Sequence, residues 1–356
     1  MKLKLEDVCE RGSSSLKQSD ILGMTGDYPI YGASGYIGNV DFYHQEKPYV
    51  AIVKDGAGIG RTTFHTAKSS VIGTMQYLLP KDNVLPKYLY YVVGHMHLEK
   101  YFSGATIPHI YFKDYKSEEF NYDSLDKQKN IVEILGRCEK VISARKRELE
   151  LLDSLIKARF VEMFGDCSNM VLLNDLCLII TDGTHQPPKF QEKGIPFILV
   201  SNLSNNTVTY NTEKYISEET YNELYKRTPI EPGDLLLSTV GSYGHPAVVT
   251  EDIRFLFQRH IAYLRPKREL VNSFYLHSAL LAPDGQRQIE EKVKGIAQKT
   301  LNLSEIRKIM IPLPKMEEQD KFAAFVHQVD KSKVVVQKAL DEAQLLFDSL
   351  MQKYFG

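Results

Sequence analysis

The architecture of this chain follows from residues 126–164, DKQKNIVEILGRCEKVISARKRELELLDSLIKARFVEMF. Apolar residues recur through it in alternating steps of four and three, from Ile131 and Leu135 to Ile156 and Met163. This heptad spacing predicts a long helix from about Asp126 to Phe164, with one apolar seam that another helix must cover. To that seam we assign Leu135, Ile142, Leu149 and Ile156.

The same pattern returns 191 positions later in residues 317–355, EEQDKFAAFVHQVDKSKVVVQKALDEAQLLFDSLMQKYF. Gly104 matches Gly295 and Gln128 matches Gln319 with no gap between them, and Phe-Gly ends both copies. The second seam is assigned to Val329, Val336, Leu340 and Phe347. Two seams in one register predict that the helices pair with each other, and a pseudo-twofold repeat makes that pair antiparallel. At a rise of about 1.5 Å per residue, each helix is about 55 Å long.

Charged residues interrupt both seams at Arg145, Arg159 and Lys333. Long basic side chains on a helix extend their charged ends to solvent while the methylene stem stays packed. Alternatively, they face carboxylates, including carboxylates of a partner. The sequence leaves both interpretations open.

The segments outside these helices are rich in Gly, Tyr, Asn and Thr and contain short β-prone runs. Such runs are residues 49–53, 195–200, 234–240 and 246–250, and they predict mixed, loop-rich domains. The domains repeat loosely, because Leu5–Cys9 resembles Leu173–Cys177 while the loops that follow differ in length. We therefore expect an α+β fold with two mixed α/β domains, 1–122 and 166–314, and two spacer helices, 123–165 and 315–356, that form an antiparallel coiled coil with a pseudo-twofold internal repeat.

Composition excludes little. The net charge of the 356 residues is -1, so an anionic partner must be held by local basic surface, because no overall positive field attracts it. The cysteines, Cys9, Cys138, Cys167 and Cys177, have neither disulfide-framework nor zinc-ligand spacing, which is typical of a reducing cytoplasm. No apolar run reaches the length of a membrane span, and the first residues, MKLKLEDVCERG, lack the apolar core of a signal peptide. We expect a cytoplasmic protein.

An ordered series of short runs carries a family resemblance. The second domain contains TDGTH at 181–185, GIPFI at 194–198, PGDLLLS at 232–238 and QRHIA at 258–262. The first contains the related YPIYG at 28–32 and GYIG at 35–38. Together with IPLP at 311–314 and the closing Phe-Gly pairs, these runs resemble the specificity subunit of Type I restriction-modification systems over essentially the whole chain. The first copy departs from the pattern, because Arg11-Gly12-Ser13-Ser14-Ser15 stands where the second has Asp-Gly-Thr-His.

The resemblance implies a non-catalytic DNA-binding subunit. Each of the two domains would be a target-recognition domain that reads one half of a bipartite, asymmetric site in double-stranded DNA, and the helices would fix the unread gap. Two methyltransferase subunits would dock on the coiled coil, and restriction subunits would join them. S-adenosylmethionine, ATP and Mg²⁺ would bind in those partner subunits, and no cofactor is expected in this chain.

Catalytic motifs are missing from the sequence itself. There is no Asn-Pro-Pro-Tyr type loop for methylating bases, and the nearest string is HQPPKF at 185–190. A phosphate-binding GxxxxGK[ST] loop is also missing. Asp182 and His185 remain open to three interpretations, namely a hydrogen-bonded loop, a DNA contact, or half of an acid-base or metal site. We assign no catalytic and no metal-binding residue.

Candidate DNA contacts are donors in loops, because Arg and Lys reach guanine edges, Asn and Gln reach adenine edges, and many donors bind phosphates. The candidates are Lys54, Arg61, His65, Lys68, Thr184, His185, Lys189, Tyr243, Arg254, Arg259 and His260, with Arg227 and Arg265 as further cations. Three other functions remain open. They are a specificity subunit whose partner fuses methylase and nuclease, an assembly scaffold that does not bind DNA, and a hydrolase or nuclease that uses Asp182 and His185.

Overall fold

The computed structural model describes residues 1–56, 58–103, 108–295 and 298–356. The chain forms two compact units, the first made of residues 1–146 and 338–356 and the second of residues 147–337. Each long helix is therefore divided between the units. The division into domains and spacer helices stays a prediction, because compactness alone does not separate a helix from the domain it packs on.

The first unit contains nine strands and three short helices in its described part, followed by the start of the first long helix. The strands are β1 (Lys2–Lys4), β2 (Cys9–Ser13), β3 (Tyr28–Gly32), β4 (Gly35–Val40), β5 (Tyr49–Val53), β6 (Thr62–His65), β7 (Ser70–Val71), β8 (Met75–Pro80) and β9 (Glu119–Asn121). The helices are α1 (Leu5–Val8), α2 (Pro86–His95), α3 (Phe112–Tyr115) and α4 (Leu125–Phe164), with 3-10 turns at Gln18–Ile21 and Leu98–Tyr101.

A four-stranded antiparallel sheet in the order β2-β8-β5-β6 forms the centre of this unit. All of β5 is buried, which explains its continuous apolar sequence YVAIV. Val50 and Ile52 face Tyr88 and the rest of the apolar side of α2. On the other face, Tyr49 packs in a second cluster with residues of β7 and β8, next to the small sheet β4-β3-β7.

The second unit repeats this plan. Its strands are β10 (Met170–Leu172), β11 (Cys177–Asp182), β12 (Ile195–Ile198), β13 (Tyr215–Ile216), β14 (Leu235–Ser238), β15 (Pro246–Val248), β16 (Leu256–Phe257), β17 (Ile261–Pro266) and β18 (Met310–Pro312). Its helices are α5 (Leu173–Leu176), α6 (Glu218–Leu224), α7 (Ser273–Leu281), α8 (Pro283–Lys292), α9 (Leu303–Ile306) and α10 (Met316–Phe355), with a 3-10 turn at Val200–Leu203. The last residues of α10, from Lys338, belong to the first unit.

The central sheet of the second unit has the order β11-β17-β14-β15 and corresponds strand by strand to that of the first. Cys9 faces Pro80 in one sheet, and Cys177 faces Pro266 in the other. All four β-prone runs predicted from the sequence contain strands, namely β5, β12, β14 and β15. A second sheet, β13-β12-β16, covers one face through Phe257 and its neighbours, and α7 covers the other.

The two long helices run antiparallel. In the first unit, Ile131 and Leu135 near the start of α4 share a core with Phe355 at the end of α10. In the second unit, Phe160 near the end of α4 lies 5.4 Å, ring centre to ring centre, from Phe322 near the start of α10. The assigned seam positions are buried at Leu135, Val329, Val336 and Leu340 and half-buried at Ile142, Leu149, Ile156 and Phe347. The predicted α+β fold with two mixed domains, an antiparallel helix pair and an internal repeat is confirmed.

The charged interruptions of the seam resolve differently. Lys333 on α10 is bonded to Asp153 on α4, with 2.6 Å between Nζ and Oδ1, and also to Asp330. Arg159 is exposed and pairs along its own helix with Glu162. Lys333 thus uses a carboxylate across the helix pair, whereas Arg159 extends to solvent.

A buried glutamine anchors the start of each long helix. The Gln128 side chain accepts a hydrogen bond from the Leu85 amide at 2.9 Å and donates to the Asp123 carbonyl at 2.8 Å. Its counterpart Gln319 accepts from the Asn272 amide at 2.9 Å and donates to the Pro314 carbonyl at 3.0 Å. Both glutamines are fully buried, so each ties the long helix to the first turn of α2 or α7.

Two further expectations from the sequence concern the cysteines and membrane-spanning helices. All four cysteines are free thiols. In the described part of the chain, no helix combines the length and apolar character that crossing a bilayer requires.

Candidate nucleic-acid interface

One end of each central sheet collects most of the predicted contact residues. At this end, which we call the loop end, β2 and β5 finish in the first unit and β11 and β14 finish in the second. Because neighbouring strands are antiparallel, the residues that precede β6, β8, β15 and β17 reach the same end. The loop ends therefore hold Lys54 and Arg61 in the first unit, and Thr184, His185, Arg259 and His260 in the second.

A pair of residues is bridged at each loop end in the same way. Ser103 and His109 exchange two backbone hydrogen bonds of 2.8 Å, and Lys294 and Thr300 exchange two of 2.9 and 2.8 Å. Just after each pair, the next backbone amide bonds to the residue that follows β5 or β14. Ser103 and His109 lie 191 positions before Lys294 and Thr300, so both copies of the repeat kept the same backbone frame at the loop end. Gly104, which opened the ungapped repeat, lies outside the described residues.

Asp182, the last residue of β11, organises the loop end of the second unit. Its Oδ2 lies 2.9 Å from His185 Nε2, and its Oδ1 accepts a hydrogen bond of 2.6 Å from Arg227 Nη2. The Asp182 side chain is 18% exposed, whereas those of His185 and Arg227 are 53% and 49% exposed. A shielded carboxylate thus holds two donors at the surface.

Local backbone geometry explains the Asp-Gly-Thr-His sequence. A Cβ at Gly183 would lie 2.2 Å from the Phe257 carbonyl oxygen, so only glycine allows this close approach. The approach lets the Thr184 amide bond to Phe257 at 2.9 Å and the Arg259 amide bond to Thr184 at 3.1 Å. As a result, the segments that carry His185 and Arg259 lie side by side.

Two further groups extend this surface. Arg259 Nε lies 3.2 Å from His260 Nε2, and burial together with the charge of Arg259 lowers the pKa of His260. Residues 183–189 and the helix α6 line an open groove of about 370 Å³, with Arg227 on its wall. Lys189 is exposed in this groove. The second loop end is therefore rich in hydrogen-bond donors, as binding of phosphates and base edges requires.

The loop end of the first unit contains a different cluster. Asp55 follows closely after the end of β5. It pairs with Lys54, and its Oδ1 lies 2.7 Å from His109 Nδ1. Arg61 donates a hydrogen bond of 2.5 Å to the Ala33 carbonyl. We did not identify Asp55 and His109 from the sequence, because they are far apart in the chain and belong to no recognised motif. The backbone bridge between them brings them together.

Other predicted contact residues lie elsewhere in the first unit. His65 is not in a loop but ends β6 at the opposite end of the sheet, where it is buried between the rings of Tyr31 and Tyr49, 4.3 and 5.2 Å away. Burial lowers the pKa of His65 to about 4, so it is a neutral core residue near pH 7. Lys68 is exposed, but it follows β6 and is therefore also remote from the loop end.

In the second unit, three predicted residues make local contacts of their own. Arg254 pairs with Glu218 and lies over the Tyr221 ring. Tyr243 lies in the loop between β14 and β15, where its hydroxyl contacts Glu290 and Lys299. Arg265 donates a hydrogen bond of 3.0 Å to the fully buried Asp234, which makes it part of the core rather than of the loop end.

The structure also bears on the alternative metal or acid-base site. The second oxygen of Asp182 is taken by the guanidinium of Arg227, whose charge repels a metal cation. Within the described ranges, no three potential ligands of the His, Cys, Asp and Glu types converge. The arrangement matches a hydrogen-bonding surface.

Comparisons with protein families and with single proteins find the same kind of relative. The chain matches the model of the Type I restriction modification DNA specificity domain twice, over residues 1–152 and 168–343. It is 31% identical over 177 residues to the Type I restriction enzyme EcoBI specificity subunit of Escherichia coli, a match that covers 49% of this chain and 37% of that protein. It is 21% identical over 316 residues to the MjaVIII specificity subunit of Methanocaldococcus jannaschii, which covers 79% of this chain and 72% of that one.

Among solved structures, the S subunit of a Type I restriction-modification system from M. genitalium superposes with a TM-score of 0.60. That match has 16% sequence identity and covers 100% of this chain and 96% of the other, so it shows a shared fold. A chain from a study of type I R-M complex assembly and conformational transition gives a TM-score of 0.53 at 16% identity, with coverage of 99% and 97%. The two family matches together span most of the sequence, and the chain therefore belongs to the family of Type I restriction-modification DNA specificity subunits.

Proposed function

We propose that this chain binds double-stranded DNA through its two loop ends and recognises a bipartite, asymmetric site. The observation that carries the proposal is that one backbone frame presents different side chains in the two units. The first frame carries Lys54 and His109, and the second carries Thr239 and Thr300 at the corresponding positions. Because base edges are read by side chains, two unlike sets of donors on one frame are suited to two unlike half-sequences.

The chemistry belongs to partner subunits in this proposal. Methyl transfer is assigned to methyltransferase subunits that bind S-adenosylmethionine, and cleavage to restriction subunits that use ATP and Mg²⁺. The sequence supports this division, because it contains neither a base-methylation loop nor a nucleotide-binding loop. The chain itself acts as the non-catalytic element that selects the DNA sequence.

Exposed apolar residues on the long helices support docking of two methyltransferase subunits. In the first unit, Leu345 and Leu346 of α10 are 72% and 54% exposed. In the second unit, Leu151 and Leu155 of α4 are 52% and 47% exposed. Leu155 and Leu346 occupy equivalent places in the repeat, so each unit offers one such surface. Large apolar side chains exposed on regular helices are typical of protein-protein interfaces.

Sequencing of modified bases in host DNA tests the DNA-recognition proposal. Cells with this chain and its methyltransferase partner should methylate a split motif, with two unlike half-sequences separated by an unread gap. Cells without the chain should lose methylation at those sites. A continuous motif, or methylation that does not depend on the chain, contradicts the proposal.

Experiments with the same cells distinguish two alternative functions from the proposed one. If the chain is only an assembly scaffold, changing Arg259 and His260 to alanine leaves the methylated motif unaltered. If methylase and nuclease are fused in one partner, affinity purification of the chain yields a single large partner polypeptide. Separate methyltransferase and restriction subunits yield two.

The docking proposal predicts a selective loss of assembly. Changing Leu345 to Lys and Leu346 to Glu keeps good helix-forming residues while removing the apolar contact. We expect at least about tenfold weaker binding of a methyltransferase subunit, which corresponds to about 1.4 kcal/mol. Native mass spectrometry should show complexes with one methyltransferase subunit in place of two.

A matched control replaces exposed polar residues in the last turn of the same helix. Gln352→Lys combined with Lys353→Glu alters charge without removing apolar surface, and the complex with two methyltransferase subunits should persist. Unchanged binding in the Leu345 and Leu346 variant would show that the methyltransferase docks elsewhere.

A further inference from the structure

We propose that Asp182 and Asp55 are positioning residues that hold a histidine and a cationic side chain ready for DNA at the two loop ends. This inference rests on the proposed DNA-binding function and deepens it, because it assigns specificity to carboxylates that do not themselves favour contact with DNA. A carboxylate near the phosphate backbone is repelled, so its presence at a DNA-binding surface needs a reason. The bonds that each carboxylate makes supply that reason.

In the second unit, the Asp182 carboxylate favours one form of the His185 imidazole. His185 Nε2 lies 2.9 Å from Asp182 Oδ2. Because the negative charge repels a lone pair at that nitrogen, the proton of the neutral ring sits on Nε2, and Nδ1 is a hydrogen-bond acceptor. An acceptor of this kind recognises the exocyclic amino group of adenine or cytosine in the major groove. Asp182 thus decides which base edge His185 can recognise.

The same carboxylate restrains Arg227. A free arginine side chain loses rotamer entropy when it is fixed. The bond of 2.6 Å between Arg227 Nη2 and Asp182 Oδ1 removes part of that freedom before DNA binds. This bond uses one nitrogen of the Arg227 guanidinium, so the N–H groups of the other nitrogens remain for guanine or phosphate acceptors.

The first unit reaches the same result with other residues. Asp55 bonds to His109 Nδ1 at 2.7 Å, so Nε2 of that ring is the acceptor, and it also pairs with Lys54. Its side chain is 26% exposed, against 37% for His109. Here too, the carboxylate is more shielded than the histidine that it holds.

The two clusters occupy different positions of the repeat. Strand pairing places Ser13 at the position of Asp182, because they face Gln76 and Ala262, the second residues of β8 and β17. The loop frame places Val240 at the position of Asp55 and Thr300 at that of His109. Each unit folds without the other's cluster, so neither cluster is a requirement of the fold. The loop end of each unit has the same combination of a carboxylate, a histidine and a cation. This indicates that the two clusters share a task.

Asp182→Asn and Asp55→Asn test the proposal in the complete complex with the methyltransferase partner. Sequencing of modified bases in host DNA should show that Asp182→Asn admits new base pairs in one half of the motif only. Asp55→Asn should admit new base pairs in the other half only. With oligonucleotide duplexes of the wild-type motif, we expect the KM for DNA to rise about tenfold, while kcat stays within about twofold and the Tm is unchanged. Asp284→Asn, which breaks an exposed pair with Arg287 outside both clusters, is the matched control and should keep the wild-type motif.

A thermodynamic cycle separates positioning from simple loss of structure. If Asp182 acts through Arg227 and His185, Asp182→Asn should raise the KM less in an Arg227→Ala background than in the wild type, and little further when His185→Ala is also present. Should Asp182→Asn fail to assemble, Arg227→Lys and His185→Asn decide, because both keep the carboxylate and should relax the same half of the motif.

The outcomes are separable. The proposal is overturned if these variants keep the wild-type motif, if both aspartate variants relax the same half, or if activity and Tm fall together with no change in motif. A wild-type complex that methylates no split motif contradicts the proposed function itself, whatever the variants do.

Discussion

Replacing Asp234 with alanine should lower the free energy of unfolding of the second unit by about 3–5 kcal/mol, the largest stability change that the structure predicts. Asp234 is fully buried and accepts hydrogen bonds from the Tyr263 hydroxyl at 2.8 Å, the Arg265 guanidinium at 3.0 Å and the Glu231 amide at 3.0 Å. Burial, reinforced by the charge of Asp234, raises the pKa of Tyr263. Removal of the carboxylate takes this acceptor away from the largely buried Arg265 guanidinium, the Tyr263 hydroxyl and the Glu231 amide.

Differential scanning calorimetry measures this effect. Because the chain has two compact units, the transition of the second unit should move to lower temperature while that of the first stays in place. Asp234→Asn should have a smaller effect, since the amide oxygen still accepts the Tyr263 hydroxyl. Asp252→Ala, which removes an exposed carboxylate of the second unit, should leave both transitions in place. A change below about 1 kcal/mol for Asp234→Ala would show that solvent or a rearranged neighbour satisfies Arg265.

Replacing either buried glutamine should cost about 3 kcal/mol, and only in its own unit. Gln128→Ala removes the bonds to Leu85 and Asp123, and Gln319→Ala removes those to Asn272 and Pro314. Each variant leaves a partly buried backbone amide and carbonyl without their partner, at about 1–3 kcal/mol per group. The start of the long helix then loses its attachment to α2 or α7.

Calorimetry of the single and double variants checks this prediction. Gln128→Ala should lower the first transition and Gln319→Ala the second, and the double variant should show both shifts unchanged, because the two side chains share no partner. The control is Gln328→Ala on the exposed side of α10, which should shift neither transition. Equal shifts of both transitions by a single variant would mean that the units unfold together.

The repeat also shows why some residues were predictable. Heptad spacing identifies seam residues such as Leu149 and Leu340, because the period of a helix alone decides which side chains share a face. His65 is predicted as a donor in a loop because local sequence shows neither that β6 extends to it nor that the rings of Tyr31 and Tyr49 bury it. Arg265 was assigned for its charge, although its partner Asp234 lies 31 residues away and is invisible to local patterns.

Periodicity and the ungapped repeat of 191 residues were sufficient to predict the two long helices, their shared register and their antiparallel pairing. Which donors come together at the loop ends depends on the tertiary fold. Asp182 meets Arg227 across 45 residues, and Asp55 meets His109 across 54, because strand order and loop docking bring distant segments into hydrogen-bond range. Local sequence sets the period of an element, whereas contacts between elements depend on how their ends meet in three dimensions.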